Sequence, residues 1–303
     1  MATIRSIAPA AAGVTLGQAA DAYLATLRGT EHASTRRTYG RILRWVVAEF
    51  GADSSPDIGA ERFAAWFAAQ WGDRAPSTWN VSLDAIRSAA AYWQQQGWIT
   101  ADPSRMLKRR KPRPDRARAL SCSEVEQLLT REDISLRERT LWRMLYETAA
   151  RSAEVLALNV EDLDLANRCA RVRRKGGAID VIIWQTGTAR LLPRLLKGRK
   201  SGPVFVTERK ARVQLSACDL DPDGRARLSY QQAEALFSEA SGGATLHQLR
   251  HSALTHDAED GTGTPMLMAR SGHTSVRSLA KYARVSAEAL ARHQAERDPA
   301  RRR

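Results

Sequence analysis

Residues 105–118, RMLKRRKPRPDRAR, divide the sequence into two unlike stretches, so the chain is limited to an architecture of at least two bodies. Eight of these positions are basic and one, Asp115, is acidic. Pro112 and Pro114 prevent a continuous helix and favour extended chain. The segment reads as an interdomain linker. It is either a solvated charge run or a strand of charge laid along a phosphate backbone through Arg105, Lys108, Arg109, Arg110, Lys111 and Arg113.

Before the linker, residues 1–13 read as a flexible, Ala-rich tail and residues 14–104 as one helical domain. Leu16, Ala19, Ala20, Tyr23, Leu24 and Leu27 recur at helical spacing. Ser34 is placed to cap a second helix, which Gly51 ends. A third helix is expected over about 58–71, and Pro76-Ser77 opens a fourth that ends near Gly97. Six of the eight tryptophans fall in this stretch. A Trp stripe in a small bundle reads as core more readily than as a platform for stacked bases.

After the linker the pattern mixes. Ser121 and Glu124 have capping-box spacing ahead of a short helix over 124–129. Helices are expected over 136–150 and 152–158. RCARVRRKGGAIDVIIW alternates around Gly-Gly and predicts a β-hairpin over 168–174 and 178–184. PVFV (203–206) reads as an edge strand. Helices follow near 229–240, 246–259, 264–270, 274–283 and 286–297. The fold class is therefore mainly α with a small β-sheet, α+β, with a second domain over 119–303.

Charge narrows the function. A net charge of +14 suits a protein that meets a polyanion, and nucleic acid is the commonest. Three separated cysteines without CxxC spacing argue against a disulfide framework or zinc finger and fit a reducing cytosol. The longest uncharged N-terminal run, Ser6 to Ala20, contains Pro9, Gly13, Thr15 and Gln18. It is a poor signal-peptide core and too short to span a bilayer, so no membrane role is expected.

The candidate chemistry lies in the second stretch. His247 and Arg250 share a helix face at i, i+3. Arg151 opens a helix three residues before Glu154. Lys175 sits at the hairpin tip, His273 follows Ser271-Gly272, and Tyr282 ends a short helix. Each alone is weak. Together, two Arg, one Lys, two His and one Tyr hold the parts for metal-free attack on a phosphodiester. Arg offers paired donors to non-bridging oxygens. A phenol, with a pKa of about 10, needs a neighbour to take its proton. A mobile lysine can protonate the leaving oxygen. His247 and His251 have the i, i+4 spacing of some zinc sites, but Gln248 stands where HExxH has Glu, so no metal is expected.

In this order, R…K…H-x-x-R…G-H…Y, the sequence resembles the tyrosine recombinases, or phage-type integrases. YETAARSAEVLAL resembles their TGxRxxE motif, RKGG their hairpin lysine, TLHQLRHSALTH their HxLRH motif, and SGHTSVRSLAKY their LGHxxxxxxxxY. Nine positions separate His273 from Tyr282, as in the family. Two departures stand out. Ala149 replaces the usual Gly, and Ser271 replaces an apolar residue whose loss is expected to weaken the positioning of His273.

The resemblance implies a helical, SAM-like core-binding domain and a catalytic domain that form a C-shaped clamp on double-stranded DNA. It implies type IB chemistry, in which Tyr282 makes a 3′-phosphotyrosyl link. Arg151 and Arg250 clamp the phosphate, His247 and His273 assist, Lys175 is the general acid and Glu154 orients Arg151. No cofactor is implied, neither ATP nor a divalent metal. The implied partners are DNA, further copies of the chain in a tetramer on paired sites, and accessory DNA-bending or directionality proteins, in the cytoplasm near the bacterial nucleoid. Only about 14 residues precede the first helix, which disfavours integrases that bridge arm and core sites. Integration or excision of a mobile element is the first expectation. The alternatives are chromosome-dimer resolution, a topoisomerase-like enzyme without strand exchange, and a non-catalytic DNA-binding protein retaining the fold. The terminal helix either docks on a neighbouring protomer or frays.

Overall fold

The computed structural model describes residues 13–29, 32–51, 57–111, 119–174, 177–279, 282, 290–291 and 294–295. Lys175, Arg113 and the tail over 1–12 lie outside them, as does most of the segment expected to form a helix over 286–297. The chain divides into two compact units, Met1–Asp115 and Arg116–Arg303.

Among its described residues the first unit contains four helices: α1 (Leu16–Thr26), α2 (Ala33–Phe50), α3 (Ala60–Trp71) and α4 (Pro76–Gln95). Thr15 caps α1 in a reciprocal box with Gln18. Ser34 does not cap α2: the helix already begins at Ala33, and His32 holds the N-cap position with no side-chain bond. Sequence favours a hydroxyl at that boundary, but burial of Ile42, Leu43, Val46 and Phe50 sets the helix instead. The core is aromatic. Phe67 lies 4.6 Å from Trp71 and 4.8 Å from Trp79 between ring centroids, and Phe50 meets Trp66 edge-on at 5.2 Å. Trp93 is buried and donates Nε1–H to the Ala19 carbonyl at 2.8 Å. Trp45 is the exception to the core reading, at 48% exposed.

The start of the expected linker is packed onto this unit. Trp79 donates to the Lys108 carbonyl at 2.9 Å, and Asn80 exchanges hydrogen bonds with both backbone groups of Arg110 at 2.8 Å. The Arg110 guanidinium lies 3.7 Å from the Trp79 ring centroid and donates to the Gly72 carbonyl. Arg109 pairs with Asp84. Arg105, Lys108, Arg109 and Lys111 remain exposed.

The second unit begins with α5 (Cys122–Thr130), capped by Ser121 and Glu124, then α6 (Leu136–Thr148) and α7 (Ser152–Leu156). An antiparallel sheet follows in the order β1 (Leu163–Asp164), β2 (Cys169–Arg173), β3 (Ile179–Ile183), with Ala170 opposite Ile182 and Val172 opposite Asp180. The expected edge strand shifts. Pro203 makes an isolated bridge to Asn159, and β4 (Val206–Lys210) pairs with β5 (Arg225–Arg227). Between β3 and β4, α8 (Thr186–Leu196) keeps Pro193 in its interior, a residue that reads as a breaker, because Thr188, Leu192 and Leu196 bury one stripe. Then come α9 (Tyr230–Ala240), α10 (Leu246–Glu259), α11 (Thr264–Ser271) and α12 (Val276–Leu279), the last within the expected 274–283, of which 280, 281 and 283 lie outside the described residues.

The main core joins Leu141, Trp142, Leu145, Val155, Val172, Ile182, Phe205, Phe237 and Leu249. A smaller cluster joins Ala149, Ala253, Leu254, Leu267, Leu279 and Tyr282. Among the described residues no helix is long and apolar enough to cross a membrane.

Candidate active site

Helix α6 ends at Thr148, and Ala149 turns the chain in the left-handed region, with φ +50° and ψ +21°. That turn is the usual office of glycine, because a Cβ is crowded there. The chain then re-enters a helix at once, with Arg151 as N-cap of α7. Glu154 fixes this start. One carboxylate oxygen accepts the Arg151 backbone N–H at 3.0 Å and the other accepts Nη1–H of the Arg151 side chain at 2.8 Å.

Arg250 projects from α10, whose start is capped by Thr245 and Gln248. It is 3% exposed. Its Nη1 donates to the Ala149 carbonyl at 2.6 Å and its Nη2 to the Ser271 carbonyl at 2.7 Å. One guanidinium thereby fastens the ends of α6 and α11. Burial, and then the like charge of Arg151, push the Arg250 guanidinium below its ordinary pKa, while Tyr282 and Glu154 counter that shift. Tyr282 and Arg250 therefore act on each other electrostatically.

Tyr282 is 1% exposed. Its ring lies 5.1 Å from that of His251 and 5.8 Å from that of His273, between centroids. His273 follows Gly272, which ends α11 with φ +63°. Ser271, the residue expected to weaken the positioning of His273, instead contacts it directly. Ser271 is fully buried and its Oγ lies 2.7 Å from Nδ1 of His273. A hydroxyl in a closed site finds a hydrogen-bond partner, and here that partner is the imidazole it was expected to loosen.

The structure thus brings together Arg151, Glu154, Arg250, His273 and Tyr282. His247 is exposed on the first turn of α10, one turn before Arg250. Lys175 itself is outside the described residues, but its neighbours on β2 are not. Arg174 is buried against Glu154 and was not expected in the site. Its signal was available: Ala170 and Val172 point inward, and period two places Arg174 on the same face.

A second polar layer was also missed. Arg270 pairs with Asp257 at 2.6 Å and donates to the Glu147 carbonyl at 2.8 Å, just upstream of Ala149. Tyr146 Oη lies 2.7 Å from Nδ1 of His256, and burial pushes the Tyr146 phenol up to about 12. Among the described residues no group of three or more His, Cys, Asp or Glu side chains is arranged to hold a metal ion.

Arginines converging on a phenol, with imidazoles beside it, form a site able to hold a phosphodiester and present a nucleophile to it. Comparison with known proteins points the same way. Residues 118–289 match the family described as the phage integrase family. The tyrosine recombinase XerC of Mycobacterium bovis (strain BCG / Pasteur 1173P2) is 30% identical over 292 residues, covering 89% of this chain and 94% of the relative. XerC of Pelobacter propionicus is 27% identical, covering 84% and 86%. In fold, the chain is similar to the Tn1549 transposon integrase in complex with circular intermediate DNA. That match has a TM-score of 0.66 and 18% identity, over 94% of this chain and 100% of the other. It is also similar to a lambda integrase dimer bound to a core site, with a TM-score of 0.69 and 17% identity, over 89% and 95%.

Proposed function

The chain belongs to the phage integrase family, the tyrosine recombinases, and on that premise we propose that it cuts and rejoins double-stranded DNA at specific sites through a 3′-phosphotyrosyl link to Tyr282. The observation that carries this reading is the meeting of Arg151, Arg250 and Tyr282, with Arg250 fixed by two main-chain carbonyls and close enough to the phenol to interact with it electrostatically.

Tyr282 Oη attacks the phosphorus, and the bond from phosphorus to the 5′-oxygen breaks. Arg151 and Arg250 hold the non-bridging oxygens and stabilise the charge that develops there. His247 and His273 hydrogen-bond the phosphate and help move the phenolic proton. Lys175 protonates the departing 5′-oxygen. The free 5′-hydroxyl of a partner strand then attacks the phosphotyrosine and restores the DNA backbone. The phosphotyrosyl bond retains the energy of the broken one, so resealing needs no nucleotide cofactor. DNA is the partner, with further copies of the chain on paired sites and the helical unit adding contacts through Arg105, Lys108, Arg109, Arg110, Lys111 and Arg113.

Two natural events remain in play, each with its own support. The basic segment and the substitution at Ala149 favour integration or excision of a mobile element. The likeness to XerC recombinases over nearly the full length of both chains favours chromosome-dimer resolution.

Covalent capture tests the chemistry. The protein is incubated with fragmented genomic DNA in EDTA and denatured in SDS, and the DNA still attached is sequenced. Wild type is expected to retain DNA through a 3′ end while Tyr282→Phe binds but retains none. If neither protein retains DNA that both bind, a non-catalytic binding role replaces this one. If both retain it, Tyr282 is not the nucleophile. The attached sequences separate a mobile-element boundary from a chromosomal site.

A further inference from the structure

Arg174 is 8% exposed and carries a charge into the interior, where an unpaired ion is costly. Two acidic partners compensate it. Its Nη1 donates to Glu154 Oε2 at 2.7 Å and its Nε to Asp180 Oδ2 at 2.9 Å. Nη2 is buried with no acceptor among the described residues. A group placed for stability alone would have its donors filled, so the arrangement calls for another explanation.

The contacts supply one. Glu154 is the residue that holds Arg151. Asp180 lies on β3, across the hairpin from Val172. The face of the guanidinium rests on Gly272, where a Cβ would come within 2.6 Å of Arg174 Cζ and 2.7 Å of Nε. Gly272 directly precedes His273. Arg174 also closes its own turn, donating its backbone N–H to Ala178 at 2.7 Å and accepting from Gly177 at 3.0 Å. The next residue in the chain is Lys175.

We infer that Arg174 is a positioning residue: it locks the lysine-bearing hairpin onto the Arg151–Glu154 pair and onto the Gly272–His273 turn, and so sets where Lys175 can deliver its proton. The inference rests on the assignment of Lys175 as general acid made above. In that step the bond between Tyr282 Oη and phosphorus forms, the bond to the 5′-oxygen breaks, and the oxygen takes a proton from the Lys175 ammonium. Glu154 keeps its two bonds to Arg151 without Arg174, so the phosphate clamp survives the loss of Arg174 while the hairpin loses its anchor.

The test compares cleavage of two otherwise identical nicked DNA duplexes. One carries the natural bridging 5′-oxygen and the other a bridging 5′-sulfur. A thiol, with a pKa of about 8.5, departs as thiolate without help from a general acid. Arg174→Met is expected to cut the oxygen substrate more slowly by roughly ten- to a hundredfold, part of the about 10²–10⁴ that positioned proton transfer contributes. On the sulfur substrate it is expected to come within about threefold of wild type, as a positioning role allows. Asp180→Asn, which loosens the same anchor at its exposed end, is expected to move the same way by less, and it keeps the test open if the buried variant does not fold. DNA binding and thermal unfolding of each variant are measured alongside.

A variant equally slow on both substrates overturns the inference, because its defect runs through Arg151 or the fold rather than through the leaving group. Wild-type rates on both substrates overturn it as well. Lys175→Ala separates the two layers. If sulfur rescues Lys175→Ala but not Arg174→Met, only the role of Arg174 falls. If sulfur does not rescue Lys175→Ala, the assignment of the lysine falls and takes this inference with it.

Discussion

The two units are held together by opposite means. The first is an apolar, largely aromatic core with few buried charges: Phe50, Phe63, Phe67 and Trp93 are essentially solvent-free. In the second, the site is tied by buried charge: Arg250 to two carbonyls, Arg174 to two carboxylates, Arg270 to Asp257 and the end of α6. Apolar contact is non-directional and tolerates repacking. Polar ties fix orientation, and each fails steeply when one partner is removed. The first unit is built to persist as a body, and the second to hold a few groups at fixed angles.

The comparison can be broken at several points. The largest expected effect is Phe67→Ala, which empties a fully buried site and costs about 3–5 kcal/mol. Calorimetry of the whole chain is expected to show a lowered transition for the helical unit, with the other transition in place; movement of both would mean that the units do not unfold separately. Next is Arg250→Lys. Lysine is a point charge that cannot fork between the Ala149 and Ser271 carbonyls. Strand cleavage is expected to fall by roughly 10²–10³, the cost of losing one preorganised donor set to the transition state. Retention of more than half the wild-type rate would refute the fork.

A smaller effect distinguishes the polar layer by pH. The folded pKa of Tyr146 is raised above the ordinary value of 10, to about 12. A raised folded value contributes stability that is fully present below the unfolded pKa and lost as pH rises through the folded one. Urea midpoints are therefore expected to fall between pH 10 and 12, and Tyr146→Phe is expected to make that fall shallower. An unchanged slope in the mutant would place the titration elsewhere. The smallest effect is Ala149→Gly. Relief of left-handed strain opposes greater chain entropy and the loss of a buried methyl, so stability is expected to stay within about 1 kcal/mol. A larger loss would show that the Ala149 Cβ packs more strongly than its conformation costs.

The same contrast explains what was legible. Apolar spacing located all four helices of the first unit to within a few residues, because there the sidedness of each helix is its packing. In the second unit the alternating run located the hairpin, and motif order pointed to Arg151, Glu154, Arg250, His273 and Tyr282. Periodicity says which face is buried, not which atom a polar side chain will meet. Ser271 was therefore read as a loss, although it holds His273. Arg174 drew no reading of its own beside Lys175, although strand alternation turns it inward. The buried stripe of α8 outweighs Pro193, and that outcome depends on neighbours far along the chain. The two residues of β1 are too few to show a period.

Arg250 illustrates what such wiring does for a DNA-cutting protein. Its two carbonyl partners lie 101 and 21 residues away in sequence. The second arginine is therefore aimed only after three distant stretches have closed on one another. Local opening at either carbonyl leaves a guanidinium with no fixed direction. The fold acts as an interlock: a nascent, damaged or half-open chain can still carry positive charge to DNA, but it arrives without an assembled blade.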